Sequence, residues 1–213
     1  MKYSLTKNKK ETIYGVLFQI KAEMSFGSVS KGDLGGWISK EENLSQEDNA
    51  WVSGNAWVSG DAEVSGSAEV SGNARVYGDA RVYGSAEVSG IAEVYGDARV
   101  YGSAWVYGDA RVYGNAWVYD SARVYGIAEV YGSAEVYGDA RVYGKLKLLS
   151  GYFFGTRYQK EEIKYKELDD NYELIYKGDA KFGEDEPKET IKIGEYTYNK
   201  NEVETALKDL KTI

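Results

Sequence analysis

The sequence predicts a mainly β fold wound as a parallel β-helix, a solenoid whose short strands stack coil on coil. Three observations predict it: a six-residue period kept without insertion, small and branched residues alternating at strand spacing, and a glycine closing each unit. From Ala50 to Gly144 the chain repeats Ala-x-Val-(Ser/Tyr)-Gly-x through sixteen units, with alanine at every sixth position from 50 to 140. Ala and Val, two residues apart, point to one side of a strand while x points to the other. Glycine tolerates positive φ at the turn that follows, and Asp120, the one departure from it, is among the few residue types that can stand there. Strands of about four residues separated by sharp bends cannot make hairpins of ordinary length, so the chain coils.

The units that pair Val52 with Ala56, Val58 with Ala62, and so on, resemble the hexapeptide-repeat superfamily of left-handed parallel β-helices. The resemblance implies a left-handed, triangular coil of three hexapeptides, and sixteen units then give about five coils. The lead-in Lys31-Gly32-Asp33-Leu34-Gly35-Gly36-Trp37-Ile38, then Glu41-Glu42-Asn43-Leu44-Ser45 and Asn49-Ala50-Trp51-Val52, is similar to phage and prophage members, often labelled transferases on the repeat alone. In the superfamily, acyl transfer relies on a histidine base and the carbonic-anhydrase-like members on three zinc-bound histidines. This chain has no histidine, so neither mechanism has a residue to carry it.

With no cysteine either, the usual zinc sites, Ser-His and Cys-His nucleophile pairs, haem ligation and disulfides are excluded. No cofactor and no metal are expected. The net charge of −8 comes mostly from residues 50–144, where 12 acids face 6 arginines. No basic patch follows from that balance, so neither direct nucleic-acid binding nor membrane binding is expected. The opening Met1-Lys2-Tyr3-Ser4 lacks a signal-peptide run, and no stretch of eighteen apolar residues occurs, which makes the cytoplasm of a bacterial host the expected location.

At eighteen residues per coil, outward positions stack into columns. One reads Trp57, Arg75, Glu93, Arg111, Glu129; a second Trp51, Glu69, Glu87, Trp105, Arg123, Arg141; a third Glu63, Arg81, Arg99, Trp117, Glu135. The first alternates in sign, whereas the other two contain like-charge neighbours. Eleven tyrosines follow valines, giving edges Tyr77, Tyr95, Tyr113, Tyr131 and Tyr83, Tyr101, Tyr119, Tyr137, with Tyr107, Tyr125, Tyr143 on the third. Stacked rings at strand spacing support a fold, yet Tyr, Trp and Arg also dominate binding hot spots. Trp51, Trp57, Trp105 and Trp117, with Tyr95, Tyr113, Tyr131, Tyr101, Tyr119 and Tyr137, are therefore the candidate partner-binding residues, and an outward Trp needs a cap or a partner to cover it. The column Asp61, Asp79, Asp97, Asn115, Ser133 is read as turn chemistry.

Four segments follow: an N-terminal β cap (1–47), the β-helix (48–144), a C-terminal hairpin cap (145–182), and a linker, small hairpin and amphipathic helix (183–213). In the first cap, Tyr3–Leu5 and Val16–Ile20 read as strands around a turn at Lys7–Lys10. In the third, 163–168 and 172–176 read as a hairpin. In the last, Ile191–Tyr198 reads as a hairpin, and a helix starting at Asn201 lines up Val203, Leu207 and Leu210 for self-association or docking. The functional expectation is a non-enzymatic phage-type scaffold that binds a host protein, such as a defence nuclease blocked sterically. A structural or carbohydrate-binding virion element is the alternative, with a histidine-free acyltransferase-like enzyme ranked behind both.

Overall fold

A computed structural model describes residues 1–155, 162–163, 190–193 and 196–199. Two compact units divide the chain, Met1–Ala180 and Lys181–Ile213. The first unit is a parallel β-solenoid. From Trp51 to Lys147 each rung pairs in parallel with the rung eighteen residues on, as Glu87 does with Trp105 and Trp105 with Arg123. The bonds run from the amide of one residue to the carbonyl seventeen further along: Trp57 N–H to Ala74 at 3.0 Å, Glu87 N–H to Ala104 at 2.9 Å. One row holds seven rungs, from Trp51–Val52 to Glu162–Ile163, so the solenoid has about seven turns. Among the described residues there is one helical element, the 3-10 turn Glu41–Asn43, and no helix is long and apolar enough to cross a membrane.

Alanine and valine fill the interior because alternation sends them there. The alanine and valine of each unit from 50 to 142 are buried, at no more than 2% exposure, and each valine contributes about 1.5–2 kcal/mol of transfer energy. The corners are tighter still. Gly90 has φ +72, and a Cβ there would lie 2.9 Å from both N and O of Gly108. Asp120 holds φ 59 and accepts a hydrogen bond from Gly138 N–H at 3.2 Å, so its side chain supplies a local partner in a conformation other residues would strain to reach.

The turn count exceeds the expected five because the coil runs past the repeat at both ends. Upstream, β3 (Leu34–Ile38) pairs in parallel with Trp57–Val58. Asn43 takes the next corner. Its Oδ1 accepts from Ser39 N, Ser39 Oγ and Lys40 N at 3.1, 2.7 and 3.1 Å, and its Nδ2 donates to the Gly60 and Ala62 carbonyls at 3.0 and 2.8 Å. Downstream, Lys147–Gly155 continues the stack with Leu148 under Val130. One residue is then dropped, so Phe153 lies under Val136. Leu146 and Leu148 are buried where Ala and Val would stand, which keeps the interior filled after the letter pattern has gone.

β1 (Tyr3–Thr12) and β2 (Gly15–Ala22) form an antiparallel hairpin, and β2 pairs antiparallel with β3. β3 thus joins the hairpin to the solenoid, being antiparallel to one and parallel to the other. The turn expected at Lys7–Lys10 is strand instead: Lys9 and Lys10 pair with Phe18 and Leu17 after a bulge, and the chain reverses at Ile13–Tyr14. The lysine stems lie along aromatic faces, with Lys9 Nζ 5.4 Å from the Phe18 centroid and Lys10 Nζ 6.0 Å from that of Trp37, which lets a polar run sit in a sheet. Gly35 and Gly36 permit the junction, since a Cβ on Gly35 would fall 2.5 Å from Ile20 Cγ1 and one on Gly36 2.6 Å from the Ala56 carbonyl oxygen.

At the far end, Glu162–Ile163 pairs in parallel with Arg141–Val142. The expected hairpin over 163–176 otherwise lies outside the described residues. In the second unit, Thr190–Ile193 pairs antiparallel with Tyr196–Asn199, the small hairpin read from the sequence. The helix expected from Asn201, with Val203, Leu207 and Leu210, lies outside the described residues.

Corner geometry sets a stability contrast. Gly90→Ala is expected to cost more than about 2 kcal/mol, through positive φ and the close backbone, whereas Asp120→Gly changes stability by less than about 1 kcal/mol. Urea denaturation of both variants measures this; a Gly90→Ala chain as stable as the parent would refute the packing account of the corner.

Candidate functional site

The outward columns form as the eighteen-residue register requires. In the first, Arg75 and Glu93 pair at 2.9 Å, Arg111 reaches Glu93 at 3.9 Å, and Lys147 pairs with Glu129 at 3.1 Å. The Trp105 column instead stacks Glu69 beside Glu87 and Arg123 beside Arg141. The Trp117 column puts Arg81 beside Arg99, with Trp117 between Arg99 and Glu135. Asp61, the first of the carboxylate column, is taken by Lys40 Nζ at 2.5 Å. That contact lowers the Asp61 carboxyl below its usual range.

All three tyrosine edges are stacked ladders. Tyr77, Tyr95, Tyr113 and Tyr131 follow one another at 4.8, 4.8 and 5.0 Å, with planes within 10°. Tyr83, Tyr101, Tyr119 and Tyr137 stand at 4.8, 4.9 and 5.1 Å, and Phe154 continues the run at 5.6 Å. Tyr107, Tyr125 and Tyr143 repeat the arrangement at 4.9 and 5.0 Å. These rings are half-buried, and their π-faces meet one another, leaving edges and hydroxyls outward. The hydroxyls of Tyr113 and Tyr119 donate to Glu129 and Glu135 on the next coil, at 3.0 and 3.3 Å.

The four candidate tryptophans divide into two pairs. Trp51 and Trp57 are buried, at 8% and 6% exposure. The chain's own cap covers them: Tyr3 and Phe26 meet Trp51 edge-on at 6.4 and 5.4 Å, while Tyr14 lies 5.2 Å from Trp57 and 4.9 Å from Tyr77. Both are withdrawn from the exposed surface. Trp105, 39% exposed, and Trp117, half-buried, stay outward. Arg123 lies over the Trp105 ring and Arg99 over the Trp117 ring, each at 4.9 Å.

Sequence reasoning missed Tyr14, which lies outside the repeat and has no periodic signal. It also missed the roles of Arg99 and Arg123, although the eighteen-residue spacing already placed each beside its tryptophan. Together these groups make rigid outward faces on which an indole is held by a cation, with tyrosine edges alongside.

Residues 68–84, 74–90, 92–108, 104–120 and 110–126 match the YdcK beta solenoid repeat model. This chain is a β-solenoid repeat protein. No curated protein matches it. The matched spans of the solenoid include Trp105, Trp117 and most of the tyrosine ladders, so the repeat that builds the fold also builds the faces.

Two measurements check these assignments. Trp57→Ala is expected to destabilise the chain by about 3–5 kcal/mol and Trp105→Ala by less than about 1 kcal/mol; equal losses in chemical denaturation would contradict the division into covered and outward pairs. The second concerns pH. Burial pushes the Tyr113 and Tyr119 hydroxyls up to about 12, with the Glu129 and Glu135 carboxylates adding to it. An unfolded tyrosine ionises near pH 10, so the folded state binds more protons above that point. The stability that these two hydroxyls contribute is full below pH 10 and lost as pH rises through about 12. The tyrosinate absorbance that the Tyr113→Phe/Tyr119→Phe double variant lacks should appear in that window together with loss of circular dichroism, and its appearance near pH 10 with the fold intact would refute the assignment.

Proposed function

We propose that the chain is a non-enzymatic scaffold that binds a host protein through its outward tryptophan faces. The carrying observation is that Trp105 and Trp117 are each stacked by an arginine at 4.9 Å on a surface backed by a filled core. Trp, Arg and Tyr supply most of the energy in protein interfaces, and a rigid scaffold loses little entropy on docking. The same reading takes the resemblance at its word: a left-handed, triangular coil of phage or prophage type, acting in the host cytoplasm. Its most specific form is steric block of a host defence nuclease.

An enzymatic reading has less support, since the chain lacks the histidine on which the resembled acyltransferases depend. A carbohydrate-binding virion element also has less, because sugar rings stack on exposed aromatic faces. The ladder tyrosines spend those faces on each other at 4.8–5.1 Å.

The test compares baits in host lysate. The wild-type chain should retain a host protein that the equally folded Trp105→Ala/Trp117→Ala double variant loses by at least about tenfold. Equal capture by both, or glycan-array binding in place of protein capture, would overturn the proposal.

A further inference from the structure

Tyr152 is 72% exposed and stands outside the tyrosine ladders. The residue dropped within Lys147–Gly155 puts it there. Had the eighteen-residue offset held, Phe153 would lie beside Glu135 on the outer face. The offset falls to seventeen instead, so Phe153 turns under Val136 and packs against the core, while Tyr152 takes the outward place beside Glu135. The Trp117 column therefore ends on Trp117, Glu135 and Tyr152, each the register neighbour of the next. A carboxylate stands on the rung between two outward aromatic side chains.

The surroundings of that carboxylate are short of positive charge. Glu135 is half-buried, and its Oε2 accepts the Tyr119 hydroxyl at 3.3 Å, which steadies the side chain. Among the described residues it makes no ion pair. No lysine or arginine stands on the rungs Asn115–Tyr119, Ser133–Tyr137 and Ser150–Phe154, and the corner residues Ser133 and Ser150 are short enough to leave the approach open. Arg99 lies over the Trp117 ring at 4.9 Å from the coil before, so the ring's opposite face is turned toward the coil of Glu135. Two strand spacings, about 10 Å, separate Trp117 from Tyr152. A flat group between two rings needs about 7 Å, one contact distance on each face, so small adjustments of the two side chains close on it.

We propose that Trp117, Glu135 and Tyr152 form a slot for an arginine side chain of the partner protein. A guanidinium is flat, carries its charge at every pH the fold meets, and offers both faces to aromatic rings while its N–H groups donate to a carboxylate. The rings and Glu135 thus favour the same group, the rings through their negative faces and the carboxylate through its charge. Arg99 already makes the first of these contacts on the far side of Trp117, and Glu135, standing between the two cations, offsets their repulsion. The slot rests on the reading of the outward tryptophans as protein-binding anchors and gives the partner its chemistry: a surface from which an arginine protrudes. A single anchored side chain of this kind binds weakly alone and supplies specificity within a larger interface.

Magnetic-resonance titration of the isotope-labelled full chain with acetyl-arginine amide tests the slot without any lysate. The indole N–H resonance of Trp117, identified by its absence from Trp117→Phe, should shift with a dissociation constant of about 1 mM. Acetyl-citrulline amide, equally flat and uncharged, should bind at least about tenfold more weakly. Arginine should lose at least about tenfold on Glu135→Gln, which keeps the size of the side chain and so the fold, and at least about threefold on Tyr152→Ala. A Trp117 resonance that arginine leaves unmoved, equal binding of citrulline, or binding undiminished in Glu135→Gln would each overturn the proposal. So would a shift produced by methyl glucoside and not by arginine, which would give the slot to a sugar. Capture of a host protein is read from the Trp105→Ala/Trp117→Ala variant alone, so that reading can stand where the arginine slot fails.

Discussion

Amides that donate to a carbonyl seventeen residues ahead hold this molecule together. Trp51 donates to Ala68, Glu87 to Ala104 and Tyr119 to Val136, at 2.9–3.0 Å. Once that offset is imposed, every other choice in the repeat is constrained. Successive coils are one strand spacing apart, so the corner has room for hydrogen and little else: a Cβ on Gly102 would lie 2.8 Å from Asp120 N. The interior must be filled by residues from all three rows at each level, and alanine with valine fills it. Where the offset changes, at the dropped residue after Val130, larger side chains restore the filling.

The same spacing explains why the aromatic surface is stiff. Rings placed every eighteen residues arrive at stacking distance without further adjustment, so the ladders follow from the backbone register and reinforce it. The cap exploits this: Tyr14 from the hairpin turn lies 4.9 Å from Tyr77 and extends a ladder from outside the repeat. Lys2 closes the same end. It is buried at 3% exposure, and its ammonium donates to the Glu47 and Ala50 carbonyls at 3.0 and 2.8 Å. That burial lowers its pKa to about 8.

Between Ala50 and Gly144 the fold was legible because each residue type had one physical task repeated sixteen times. The strands, the inward Ala and Val, the positive φ of Asp120 and the tyrosine ladders all follow from the period. Outside it the reading lost its footing for identifiable reasons. Gly36, Ile38 and Leu44 continue the coil with other letters, and Asn43 replaces a corner with side-chain hydrogen bonds that no period announces. Lys7–Lys10 looked like a turn because four polar residues in a row do, while Phe18 and Trp37, which shelter two of them, are near only in space. Of the candidate site, the columns were readable, whereas the covering of Trp51 and Trp57 depended on contacts with residues up to 48 positions away.

The chain's period and its coil are different numbers, six and eighteen, and the surface lives in the gap between them. Adding or removing one hexapeptide leaves the interior indistinguishable, since every unit offers the same Ala and Val to it. Yet it advances all downstream side chains by one row, so a tryptophan moves to another side of the molecule and each charged residue acquires new neighbours. Only steps of three units preserve the decoration. Length change in this architecture is thus harmless to folding and disruptive to recognition, and two chains of equal stability can differ by a single repeat and share no face.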